Sequence, residues 1–138
     1  MTTELNILAW GCVLALVHVF AAVRVKTRQY GVEWNMGARD GPVPPPDPIV
    51  GRLARAQANF FETFPIAAAA ILIAAFSGVD NRLTAIGALV WLGARILYLP
   101  LYAFGVRGLR TIAFLAGLVG ILMVLWPVLT AELVRPFP

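Results

Sequence analysis

The chain has 138 residues, 60% of them hydrophobic and 13% charged, with a mean hydropathy of +0.82, proportions that exclude an ordinary soluble domain. The formal charge of +4 does not support nucleic-acid binding, because no polar segment carries a basic patch interleaved with aromatic readers. Cys12 is the single cysteine, so an intrachain disulfide and a multi-cysteine metal site are both excluded.

Four apolar stretches approach or exceed the roughly 20 residues needed to cross hydrocarbon. They cover residues 5–23, 57–76, 83–104 and 112–134. The expected fold is therefore an all-α integral membrane four-helix bundle, a single domain over residues 1–138. The first stretch follows Met1-Thr2-Thr3-Glu4, which lacks a basic leader region. It is expected to be a retained transmembrane helix rather than a cleaved signal. Cys12 and His18 lie within it, and both read most simply as packed side chains.

Residues 24–56 form the one long connection. Five of the chain's ten prolines fall between Pro42 and Pro48, a run expected to be extended and stiff. It reads as a spacer, or less simply as a polyproline ligand for a partner. Eight basic residues lie in this connection and in the one between the third and fourth spans: Arg24, Lys26, Arg28, Arg39, Arg52, Arg55, Arg107 and Arg110. The opposite side has only Arg82 and Arg135. The positive-inside rule then places both termini outside and these two loops in the cytoplasm.

The second span opens with Arg55, Asn59 and Glu62 at i, i+4 and i+7, which share one helical face. A charged residue at the centre of a bilayer costs roughly 2.5–3.5 kcal/mol on insertion scales, so such a stripe calls for something to hold. After the tight turn at 77–81, the third span carries Trp91, Arg95, Tyr98 and Tyr102 at i, i+4, i+7 and i+11, again one face. Counting along the helices puts Arg95 at about the depth of Glu62, while the outer halves (66–76, 83–90 and 120–131) hold no ionisable side chain. A pocket open toward the cytoplasm is one reading. A buried Arg95–Glu62 pair that fixes helix packing is another. Tyr98 and Tyr102 are inward-facing on the first reading and interfacial belt residues on a second. Trp91, Phe60, Phe61 and Phe64 read as lipid- or helix-facing bulk. Pro65 and Pro100 are expected to bend their helices. Small residues at Gly11/Ala15, Ala113/Gly117 and Ala116/Gly120 suit close helix contact.

Taken together, Arg52-x-x-Arg55-Ala-Gln-x-Asn59-x-x-Glu62-x-Phe-Pro65, then Ala94-Arg95-x-x-Tyr98-x-x-x-Tyr102 and Arg110-Thr111, resemble the MAPEG family, the membrane-associated proteins in eicosanoid and glutathione metabolism. The resemblance spans essentially the whole chain. It implies a homotrimer of four-helix protomers with glutathione held between subunits on the cytoplasmic side. By the same resemblance Glu62 meets the ligand's ammonium and Arg55 its carboxylates. Asn59 grips the peptide, Tyr98 and Tyr102 line the site, and Arg95 matches an arginine of the motif. Arg110, with Thr111 beside it, matches the arginine that faces the sulfur. That match needs a one-residue spacing adjustment, and Arg107 competes for the role.

Thr63 stands where some eicosanoid-branch members have tyrosine, Leu97 and Phe104 replace basic residues of one member, and the proline-rich loop is longer. These departures argue against an eicosanoid-specific enzyme. The implied activity is a glutathione S-transferase or peroxidase-like reaction, with glutathione as co-substrate, no metal, and a hydrophobic electrophile or lipid arriving from the membrane. Two alternatives stand beside it. One is a non-enzymatic lipid-binding or scaffold protein of the same fold. The other is a small proton-coupled exporter, which is disfavoured because the first span holds no glutamate beyond Glu4.

Overall fold

A computed structural model describes residues 1–134, with side chains through Ala131; Arg135, counted above on the outer side, lies outside the described residues. Five helices follow one another: α1 (Thr3–Tyr30), α2 (Val32–Met36), α3 (Pro48–Phe76), α4 (Arg82–Ala103) and α5 (Leu109–Val134). No strand occurs among the described residues. α1, α3, α4 and α5 are each long and apolar enough to cross a membrane, the architecture of a multi-pass membrane bundle.

α1, α3 and α5 overrun the apolar spans read from sequence, and the connection between the first two spans is shorter than residues 24–56. At about 1.5 Å per residue, α1 and α3 are each over 40 Å long, more than the roughly 30 Å of hydrocarbon. Hydropathy marks where a helix leaves hydrocarbon, not where its hydrogen bonding stops. α1 runs on through Arg24–Tyr30 until Gly31 turns the chain at φ 92°. α3 starts at Pro48, because a proline in the first turn has no intrahelical N–H to lose.

Between α2 and α3 the prolines are tied back to α1. Gln29 uses both ends of its amide: Nε2 donates to Pro45 O at 3.0 Å, and Oε1 accepts from Asp47 N at 2.9 Å. The Tyr30 hydroxyl donates to Pro44 O at 3.2 Å. The Pro-rich run is thus a strap fastened to its own helix, with two of its carbonyls already engaged.

At the opposite end, Asn81 starts α4 through a capping box. Its Oδ1 accepts from Leu83 N and Thr84 N, while Thr84 Oγ1 accepts from Asn81 N at 2.8 Å. Thr84 also meets Glu4, whose buried carboxylate lies 2.6 Å from the hydroxyl. The start of α1 is thereby joined to the start of α4. Pro65, Pro100 and Pro127 lie inside α3, α4 and α5 without ending them.

Lipid is as apolar as leucine, so close packing rather than burial from water holds such helices together. α4 and α5 meet where Gly87 faces Gly120. A Cβ on Gly120 would stand 2.6 Å from Gly87 O and 2.6 Å from Trp91 N. Trp91 is 1% exposed and belongs to the core with Ile7, Ala67, Ala70, Ile71 and Val124. Its six-membered ring fits over Gly11, whose added Cβ would stand 2.7 Å from it. Phe60 is likewise fully buried, whereas Cys12 faces outward.

Because the atoms opposite Gly120 are backbone, no rotamer change relieves a methyl group there. Gly120→Ala is expected to cost about 1–3 kcal/mol through forced separation of α4 and α5. Thermal unfolding of the detergent-solubilised protein should show a lowered midpoint for this variant and little change for Gly93→Ala, where an added Cβ meets open space.

Candidate functional site

The polar stripes of α3 and α4 face one another, and Arg95 of α4 is their centre. Its guanidinium is 0% exposed. Nη1 donates to Asn59 Oδ1 at 2.9 Å and Nη2 to Thr63 Oγ1 at 2.8 Å. Thr63 in turn directs its own proton toward the carbonyls of Asn59 or Phe60, one turn back on α3. Two aromatic rings flank the cation, Tyr98 with its centroid 5.4 Å from Cζ and Phe114 of α5 at 5.2 Å. Gly117, one turn beyond Phe114, makes the space: a Cβ there would lie 3.3 Å from Arg95 Nε. The ion pair with Glu62 considered from sequence is replaced by neutral acceptors, which α3 offers at positions 59 and 63 of one face.

From Arg95 the site opens toward the end of the bundle that carries the α4–α5 turn. Tyr98 is nearly buried, and its ring lies 5.4 Å from that of Tyr102. Tyr102 stands between two guanidiniums. Arg55 Nε donates to its hydroxyl at 3.3 Å, and the Arg110 Cζ lies 4.7 Å from its ring centroid. Arg55 reaches across because Gly51, a turn earlier on α3, leaves room beside its terminal nitrogens. Arg52 fixes the end of α4 by donating from Nη1 to Ala103 O at 3.3 Å, against Gly105 at φ 70°. Gly108, also in a left-handed conformation, then turns the chain into α5 so that Arg110 falls in its first turn.

These residues enclose a cleft of about 250 Å³ lined by Asn59, Tyr98, Tyr102, Arg110, Thr111 and Phe114. Of the residues singled out from sequence, five line it: Asn59, Tyr98, Tyr102, Arg110 and Thr111. Arg55 stands beside it through its bond to Tyr102. Arg95 is behind the wall, holding Asn59. Glu62 is exposed on the surface of α3 and does not line the cleft, and Arg107 is exposed and outside it as well. The two tyrosines face inward rather than forming a belt. His18 packs in the interior of α1, its Nδ1 2.9 Å from Leu14 O and its ring stacked on Phe60 at 4.3 Å between centroids.

Sequence reasoning passed over Thr63 as a partner and missed Phe114 altogether, and it noted Gly117 only as a packing residue. Spacing carries the missed signal, since Thr63 is i+4 from Asn59, and Phe114 and Gly117 are i+4 and i+7 from Arg110. Among the described residues no three His, Cys, Asp or Glu side chains come together as a metal site would require.

Chemically, the cleft is rich in hydrogen-bond donors and positive charge, with aromatic walls and no carboxylate in its lining. It suits a small polar ligand that carries an anion. No curated protein matches the chain. A scan of protein families, however, matches the MAPEG family over residues 7–130, nearly the whole length. With four membrane-length helices and a match of that extent, this multi-pass membrane protein belongs to the MAPEG family.

Proposed function

We propose that this protein is a membrane-embedded glutathione-dependent transferase or peroxidase-like enzyme, with Arg110 as the residue that activates the thiol. The observation that carries the reading is the Arg110 guanidinium, stacked over Tyr102 in a cleft shared with Asn59, Tyr98 and Thr111, in a chain of the MAPEG family. A free cysteine thiol titrates near 8.5, so little of it is thiolate at neutral pH. A guanidinium close by favours the thiolate, lowering such a value by about 1–3 units, and arginine keeps its charge while presenting several donors. In a conjugation the sulfur lone pair then attacks an electrophilic carbon. The leaving group departs with its bonding electrons, and the thiol proton goes to solvent. The hydrophobic electrophile arrives from the bilayer, and no metal takes part.

The proposal includes a homotrimer with the site between subunits. Glu62 supports this, because it is a carboxylate exposed on a membrane-spanning helix, where an uncovered charge is costly. A neighbouring protomer that covers α3 relieves that cost and brings Glu62 and Arg55 into a shared site, Glu62 for the ligand's ammonium and Arg55 for a carboxylate. The basic loops, including the strap and the α4–α5 turn, face the cytoplasm, and both termini lie outside.

Native mass spectrometry in mild detergent should register three copies. A stable monomer would remove the basis for a shared site. Glu62→Gln should weaken glutathione binding by about 1–3 kcal/mol, measured by calorimetry, with assembly intact; normal binding by that variant would remove Glu62 from the site. Arg110→Ala should leave binding largely intact, raise the bound thiol's pKa so that thiolate absorbance appears only at higher pH, and slow conjugation of an aryl halide. The same loss in Arg107→Ala, with Arg110→Ala unchanged, would transfer the role to Arg107. If the unaltered protein binds glutathione but shows neither thiolate at neutral pH nor turnover, the non-enzymatic lipid-binding or scaffold reading replaces the enzymatic one.

A further inference from the structure

A guanidinium has five N–H donors and no acceptor, so whatever atom meets it must be an acceptor. Arg95 Nη1 meets the Asn59 side chain, which must therefore present its oxygen, Oδ1, at 2.9 Å. The carboxamide has no freedom to reverse, because its nitrogen would then oppose a second donor inside a sealed wall. With the oxygen engaged by Arg95, the donors the amide has left are those on Nδ2, and Asn59 is one of the residues that line the cleft. Thr63 Oγ1 takes the neighbouring Nη2, so the guanidinium is anchored at two points and cannot swing away from the amide.

The same polarity recurs across the cleft. Arg55 donates to the phenol oxygen of Tyr102, which turns the phenol proton away from Arg55 and leaves it available to a ligand. Arg110 adds N–H donors only. The acceptors remaining in the lining side chains are the hydroxyl oxygens, and the aromatic faces supply no hydrogen-bonding oxygen.

We propose that Arg95 is a positioning residue that locks the Asn59 carboxamide with its N–H bonds toward the cleft, so that this wall binds a carboxylate or other anionic group and rejects an ammonium. It does not itself touch the ligand. The inference deepens the glutathione reading and rests on it only for the identity of the anion: a carboxylate of the peptide, not its amine, is held at Asn59.

Asn59→Asp provides the test. It supplies the buried guanidinium with the counter-charge it lacks, and at the same time replaces the two donors facing the cleft with an anionic oxygen. Stability and affinity should therefore move in opposite directions, which a merely structural side chain would not produce. The thermal midpoint of the detergent-solubilised protein should rise, and calorimetry should show glutathione binding weakened by about tenfold or more, the loss expected for a charge-assisted hydrogen bond. In an Arg95→Gln background the same substitution should no longer raise the midpoint. If Arg95→Gln does not fold, Arg95→Lys replaces it, since one ammonium cannot span residues 59 and 63 as the planar fork does, and the rise should then be reduced.

Wild-type affinity in Asn59→Asp would overturn the proposal, as would a fall in both quantities or an undiminished midpoint rise without Arg95. Should the unaltered protein bind no glutathione, the proposed function fails on its own, and the midpoints of the Asn59 and Arg95 variants still decide whether the amide is locked.

Discussion

A cation sealed inside a membrane-spanning bundle must find acceptors within the protein, because lipid offers none. Arg95 is such a cation, and three helices are arranged around it. α3 supplies Asn59 and Thr63, α4 adds Tyr98 to the arginine itself, and α5 contributes the Phe114 ring and the gap at Gly117. Each is the partner that a planar, donor-only group can use: an amide oxygen, a hydroxyl oxygen, an aromatic face, and a missing side chain where the guanidinium edge would otherwise collide. A lysine would leave most of this arrangement unmatched, since its ammonium is a compact charge without a flat face. The cleft is the continuation of the same order, with Tyr98 and Phe114 serving both the buried cation and the open space beyond it.

Much of this was legible in the sequence, for a physical reason. Hydrophobic runs and a 3.6-residue period together disclose which segments cross a bilayer and which of their faces are polar. The stripes at Arg55–Asn59–Glu62 and Trp91–Arg95–Tyr98–Tyr102 therefore point to two of the three helices that line the cleft. What periodicity does not disclose is which polar residue satisfies which. A pair with Glu62 was one of the two readings open for Arg95, yet the short neutral side chains at 59 and 63 meet it, and Glu62 is turned outward. Phe114 and Gly117 were hidden for the opposite reason: in an apolar helix a cation's ring and its gap look like any other packing residues. Which of Arg107 and Arg110 reaches the cleft depends on two left-handed glycines, Gly105 and Gly108, that set where α5 begins. Spacing alone does not carry that information.

Helix ends were the least legible feature. Composition located the hydrocarbon-crossing parts, but α1 and α3 both continue beyond them. Nothing in hydropathy distinguishes an exposed helix from an exposed loop, and a run of prolines reads as a break even where its last member starts a helix. The two ends of the bundle are finished differently. One is closed by side chains at helix starts, with Glu4 on Thr84 and Asn81 capping α4. The other carries the strap and the mouth of the cleft.

That strap has a mechanical consequence. Gln29 and Tyr30 fasten the segment at Pro44–Asp47 to the last turn of α1, and Asp47 is the residue from which α3 departs. The two longest helices are therefore coupled outside the hydrocarbon, where sliding one past the other would break hydrogen bonds made by a stiff, proline-limited chain. A bilayer of different thickness is normally accommodated by tilting or shifting individual helices, at a fraction of a kcal/mol per ångström. Here α1 and α3 must respond as a pair. A displacement of either helix along its axis therefore acts on the hydrogen bonds at Pro44–Asp47, which hold the start of α3 to the end of α1.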